Sequence, residues 1–145
     1  MSDDILTEGH ILYAGVGNIL RGDDGIGCYI ADGITSSSIN AGENSEAIYF
    51  EALNIKPEKV IIFDAYDFSG AVGEWRFVKP EQLEDSTVST HKMPLNLVCQ
   101  LIKEDVGADI YLIGIQPESL EPGSKLTDTV KNEADKIVSA INKDF

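Results

Sequence analysis

Four side chains of this 145-residue sequence have the types and placement to do chemistry together: Asp23, Asp24, Asp64 and His91. Carboxylates joined by one imidazole make an oxygen-rich ligand set with a single nitrogen. Such a set suits a divalent ion of the manganese, iron, nickel or zinc group. A ligating histidine must be neutral. His91 stands just ahead of a helix expected to begin near Pro94, where the positive helix end disfavours imidazolium. The same carboxylates also offer a general base, Asp23 or Asp64, for activating water. No Ser-His-Asp or Cys-His arrangement is evident near His91. Taken singly, an aspartate at a strand end is an ordinary turn former, and a lone histidine is ordinary hydrogen-bonded scaffolding. What argues for a site is that all of them fall on one rim.

The elements that create this rim are legible in the hydropathy pattern. The run Lys59-Val60-Ile61-Ile62-Phe63-Asp64 is continuous and β-branched, as in a central parallel strand covered on both faces. Residues 10–15 and 109–114 read the same way. Residues 74–78, Glu-Trp-Arg-Phe-Val, alternate. They follow the 59–64 strand after a turn too short for a parallel crossover, so they are expected as an antiparallel edge strand. A short strand is expected near residues 36–40. Helices are expected over 24–33, over 94–105 with Gly107 beyond its end, and after Thr127. That last helix carries the apolar stripe Val130, Ala134, Ile137, Val138 and Ile141. Residues 43–55 fit a strand or a helix; a helix supplies the right-handed crossover into the 59–64 strand. The result is a single α/β domain over 1–145, with a doubly wound, mostly parallel five-stranded sheet, one antiparallel edge strand and helices on both faces. Ligands of such sheets bind beyond the carboxyl ends of the strands. That is where Asp24, Asp64 and His91 fall.

Composition narrows the partners. With 25 acidic residues against 11 basic, the net charge of −14 repels nucleic acid and anionic membranes. No stretch approaches the ~20 apolar residues of a membrane span. The acidic first eight residues lack the basic end and apolar stretch of a signal peptide, so a cytoplasmic location is expected. The two cysteines, Cys28 and Cys99, lie among apolar residues at helical spacing and read as buried hydrophobes rather than a disulfide or zinc site. Gly15-x-Gly17 lacks the third glycine of a dinucleotide fingerprint at Leu20, and Asp23 and Asp24 would repel a pyrophosphate there. An alternative is a phospho-accepting, receiver-like signalling domain, with Asp23 and Asp24 after the first strand and Asp64 after the third. Against it stand Gln116, where a receiver needs lysine before proline, and the long 17–22 loop ahead of the acids.

The stretch Gly15-Val16-Gly17-Asn18-Ile19-Leu20-Arg21-Gly22-Asp23-Asp24-Gly25-Ile26-Gly27 resembles the opening signature of hydrogenase maturation endopeptidases. Further segments follow in family order at family-like spacing: Asn40-Ala41-Gly42, Phe63-Asp64-Ala65, Gly73-Glu74, Ser89-Thr90-His91-Lys92-Met93-Pro94-Leu95 and Gly114-Ile115-Gln116-Pro117. The last two resemble the branch serving formate-hydrogenlyase-type hydrogenases. The similarity runs over residues 11–142. It implies an endopeptidase that removes a C-terminal extension from a [NiFe]-hydrogenase large-subunit precursor after nickel insertion. The implied nickel ligands are Asp24, Asp64 and His91, which would also be the catalytic set. The nickel itself would be supplied by the precursor. Substrate contact would fall to Asn18, Asn40 and Gly42. The sequence departs from the family where Pro-Glu-Asn is usual and Ser45-Glu46-Ala47 stands, which bears on substrate choice. Whether the metal acts in catalysis or only as a checkpoint stays open.

Overall fold

The computed structural model describes residues 3–83 and 93–143. In chain order the elements are α1 (Asp3–Thr7), β1 (Ile11–Val16), a 3-10 turn (Gly22–Gly25), α2 (Ile26–Gly33), β2 (Ser38–Gly42), α3 (Glu46–Ile55), β3 (Lys59–Ala65) and β4 (Trp75–Val78). A second 3-10 turn (Pro80–Leu83) precedes α4 (Leu95–Asp105), β5 (Asp109–Ile115) and α5 (Asp128–Asn142).

The β-branched runs become the parallel core of the sheet. Its order is β2-β1-β3-β5-β4. β1 pairs with β2 and β3, and β3 pairs with β5, all parallel, while β4 runs antiparallel along β5. Because side chains alternate across a strand, each central strand feeds two cores. Ile61 and Phe63 of β3 join Ile26 and Ile30 of α2 and Val130, Ala134 and Ile137 of α5 on one face. Val60 and Ile62 join Ile48 and Ala52 of α3 and Val98 and Ile102 of α4 on the other. Helices therefore cover both faces, as expected for strands apolar throughout.

One local expectation holds and two shift. Residues 43–55 do contain a helix, closed at Lys56 in the left-handed region (φ 50°). β2 lies two residues later than the 36–40 segment, so Asn40 and Gly42 belong to the strand end rather than to a loop after it. β4 is antiparallel, but its neighbour is β5 and not β3. Residues 66–74 do not close a hairpin; they cross the carboxyl edge and deliver β4 to the far side of β5. The α1 turn was not anticipated. It sets Leu6 into the core, where the Leu6 carbonyl accepts the Tyr13 hydroxyl.

From β1 the chain moves to β2 on one side, then returns past β1 to β3. The order therefore reverses between β1 and β3, and a crevice opens there beyond the strand ends. The loop after β1 and the last residues of β3 form its walls.

Candidate functional site

Close packing brings these walls together. α2 sits so near the sheet that a methyl group on Gly27 would lie 2.2 Å from the Phe63 carbonyl oxygen and 2.6 Å from that of Val16. Only glycine permits that approach. Gly17, leaving β1 at φ 139°, allows the chain to turn under the 3-10 segment. A β-carbon there would stand 1.9 Å from the Asp24 carbonyl oxygen and 3.7 Å from Asp64 Oδ1. Gly17 thus marks the meeting point of Asp24 and Asp64.

Asp24 is half-buried, and its Oδ2 accepts the Asn18 backbone N–H at 3.0 Å. Asp64 is also half-buried at the end of β3. Its carboxyl is pushed well above the usual carboxylate range, first by desolvation and then by the charge of Asp24, with the Ala65 N–H pulling the other way. A carboxyl whose proton affinity is raised beside another carboxylate is relieved by a proton or a cation. Beneath them the Cys28 thiol contacts the Gly17 carbonyl at 3.7 Å. Burial, with smaller contributions from Asp32, Asp64 and Asp24, takes it up to about 11. Cys28 is thus a buried thiol and no nucleophile.

Asp23 behaves differently from its neighbour. It is fully buried, and its oxygens accept the backbone N–H groups of Glu118 (2.9 Å), Ser119 (3.1 Å) and Thr127 (2.8 Å) and the Thr127 hydroxyl (3.0 Å). These partners correct the reading of Asp23 as a general base, since both oxygens are engaged and Asp24 alone raises Asp64 electrostatically. They also remove the acidic trio that a receiver-like domain needs. Thr127, at the start of α5, gives its hydroxyl to Asp23 rather than capping its own helix.

The remaining expected residues are placed as follows. Asn18 uses its side chain within the loop, where Oδ1 accepts Leu20 N–H at 2.9 Å. Asn40 donates to the Asp32 carboxylate at 3.1 and 3.2 Å and accepts Gly42 N–H at 3.1 Å. Gly42 in turn accepts Gly17 N–H at 2.9 Å, which fastens the end of β2 to the mouth of the crevice. His91 lies outside the described residues. Among the described residues no three His, Cys, Asp or Glu side chains group to hold a metal. Just after His91 in the chain, the Met93 carbonyl accepts Ser45 Oγ at 3.0 Å, and Leu95 lines one small pocket with Asp64 and Tyr66.

Two features escaped the sequence. Gln116, buried after β5, accepts Phe68 and Gly70 N–H at 2.9 and 3.1 Å and donates to Asp67 Oδ1 at 3.0 Å, so it shapes the loop following Asp64. The Ser69 N–H and then this amide hold Asp67 below the usual carboxylate range. Ile19 and Leu20 stand 68% and 70% exposed on the loop that carries Asn18. Two consecutive aliphatic residues in a glycine-bounded loop were the available signal.

A fold with a carboxylate pair at its β1–β3 switch point has close counterparts. A family model described as hydrogenase maturation protease matches residues 36–144. This chain belongs to the hydrogenase maturation protease family. The hydrogenase 3 maturation protease of Escherichia coli (strain K12) is 30% identical over 129 residues, spanning 84% of this chain and 82% of that protein. The crystal structure of a [NiFe] hydrogenase maturation protease from Thermococcus kodakarensis KOD1 superposes with a TM-score of 0.83 at 32% identity, over 97% of this chain and 96% of that one. A hydrogenase maturating endopeptidase from E. coli gives a TM-score of 0.67 at 26% identity, over 91% and 89%. The sheet order and the family are therefore in agreement. Among the described residues no helix is long and apolar enough to cross a membrane.

Proposed function

We propose that this protein is the endopeptidase that removes a C-terminal extension from a [NiFe]-hydrogenase large-subunit precursor once nickel has been inserted, acting in the cytoplasm. The observation that carries the reading is the placement of Asp24 and Asp64 around Gly17, with Asp64 raised by burial and then by Asp24, at the switch-point crevice of a hydrogenase maturation protease fold. The family supplies the reaction class, and the pair supplies a place to read a cation.

The donor chemistry fits. Two carboxylates a short distance apart repel one another, and a divalent ion between them offsets that repulsion. In this reading Asp24, Asp64 and His91 hold the nickel, which belongs to the precursor and counts as part of the substrate. Leu95, four residues after His91, lines a small pocket with Asp64, which supports the assignment of His91 to the same set. Asp64, with its raised proton affinity, is the group suited to take a proton from the attacking water, which makes the chemistry of an aspartyl type. Asn18, Asn40 and Gly42 frame the entrance where the extension would lie. The exposed pair Ile19 and Leu20 adds apolar surface beside it.

The test is intact-mass measurement of nickel-loaded large-subunit precursors incubated with this protein. One precursor should lose the mass of its tail with the wild type and keep it with Asp64→Asn. If no precursor changes mass, or if Asp64→Asn processes at the normal rate, the proposal is withdrawn.

A further inference from the structure

Among the described residues three polar side chains are buried, Asp23, Ser45 and Gln116, and of these only Asp23 is ionisable. Burying a carboxyl is costly unless its oxygens are satisfied, and here they are satisfied by two separate segments. The Glu118 and Ser119 amides come from the stretch after β5, and Thr127 opens α5 with both its N–H and its hydroxyl. Asp23 N–H returns a bond to the Ser119 carbonyl at 2.8 Å. The positive end of α5 adds to the set. All these groups donate, so an acceptor at both oxygens is the side chain that matches them.

The clamp extends along the loop. Gly22 N–H donates to Ser124 O at 3.2 Å, Gly123 N–H to Leu20 O at 2.7 Å and Arg21 Nε to Leu120 O at 3.3 Å. Residues 20–23 and 118–127 are thereby joined into one wall. A 3-10 segment has 3.0 residues per turn, so consecutive side chains point about 120° apart. With Asp23 locked toward α5, its neighbour is turned to the other side, where Asp24 Oδ2 accepts Asn18 N–H and where Gly17 lies against both the Asp24 backbone and the Asp64 carboxyl.

We infer that Asp23 is the positioning residue of this site: its clamp on the 118–119 segment and on Thr127 fixes the turn that aims Asp24 at Asp64. The inference rests on the reading that the Asp24–Asp64 pair acts in precursor processing. Asparagine at 23 would turn an NH2 group toward N–H donors, so Asp23→Asn breaks the clamp while nearly preserving volume. Asp24 then wanders from its partner without the core being touched.

The experiment compares full-length wild type, Asp23→Asn, Thr127→Val, Thr127→Ser and Asp64→Asn at a temperature where circular dichroism shows each folded. Asp23→Asn should lower kcat for precursor cleavage by at least about tenfold and raise KM as well, because Asp24 is displaced from the nickel that the precursor carries. Amide exchange should quicken at Asn18 and stay slow at Ile61 and Ile62. Thr127→Val should fall in the same direction, and Thr127→Ser, which keeps the hydroxyl, should restore kcat. A residue that merely stabilises the fold would lower the melting temperature and speed exchange everywhere, leaving kcat of the folded protein intact. Normal kcat in Asp23→Asn, with Asp64→Asn inactive, overturns the positioning role and leaves the site reading standing. Normal cleavage by Asp64→Asn overturns both. Should Asp23→Asn fail to fold, equal kcat in Thr127→Val and Thr127→Ser overturns the inference by itself.

Discussion

Asp64 occupies a place that a stability-optimised protein would give to a neutral side chain. Above pH 3.8 its carboxyl ionises freely in the unfolded chain but resists ionisation in the folded one, because burial and Asp24 oppose the charge. Between those two pKa values the native state binds more protons, so this group's contribution to stability falls as pH rises. Asp64→Asn removes the penalty. The variant should be more stable than wild type at pH 7, by on the order of 1 kcal/mol for each pKa unit relieved. The gain should vanish below about pH 4, where both states are protonated. Denaturant melts at pH 4 and pH 7 check it; a loss of stability at pH 7 would show that Asp64 is held by favourable partners instead. Burial likewise predicts inertness of the thiols. Burial raises Cys28 to about 11 and Cys99 to about 12, so iodoacetamide at pH 8 should leave the native protein unmodified and its cleavage activity intact. Intact mass should show two adducts only after denaturation.

At the scale of elements, the glycines at the ends of β1 and β2 have unequal jobs, and substitution separates them. Gly17→Ala drives a methyl group to 1.9 Å from the Asp24 carbonyl, against backbone that cannot swing aside. It should cost about 1–3 kcal/mol or more and displace Asp24. Gly42→Ala meets nothing within 4 Å and suffers only its φ of 57°, a cost of about 1–2 kcal/mol. Thermal melts of the two variants, with precursor cleavage measured on each, should show activity lost in the first beyond what its stability explains. The sheet shows what a sequence can and cannot encode. β1, β3 and β5 were legible because their apolar runs need two covered faces, and α5 because Val130, Ala134, Ile137 and Ile141 repeat on one stripe and are all buried. The partner of β4 was not legible. Its path is fixed by Gln116, whose side chain holds Phe68 and Gly70 and whose backbone pairs with Gly73 and Glu74, all of them distant in sequence. Asp23 and Asp24 pose the same difficulty. As adjacent identical residues they are indistinguishable by type and spacing, and only the donors at Glu118, Ser119 and Thr127 assign one to the scaffold and the other to the crevice.

For the whole molecule, the distribution of charge sets what can approach the crevice. A net charge of −14 surrounds a pair of carboxyls that already repel each other, so anything docking there must bring positive charge. On the proposed reading, a precursor carrying its nickel does so at the point of contact, and the same precursor without nickel offers only its surface residues. Cleavage should therefore be confined to the nickel-loaded precursor. The long-range part of the attraction should weaken as salt rises from about 0.05 to 0.5 M, because exposed charges more than about 10 Å apart are screened, whereas ligation by Asp24 and Asp64 at close range is not. The expected pattern is a rise in KM with salt at nearly constant kcat for loaded precursor, and no cleavage of the empty one at any salt. Mass spectrometry of both precursors across a salt series measures it. Equal cleavage of the two would place the carboxylate pair in catalysis independent of the cargo. A nickel requirement without salt dependence would keep the close-range reading and confine the acidic surface to solubility.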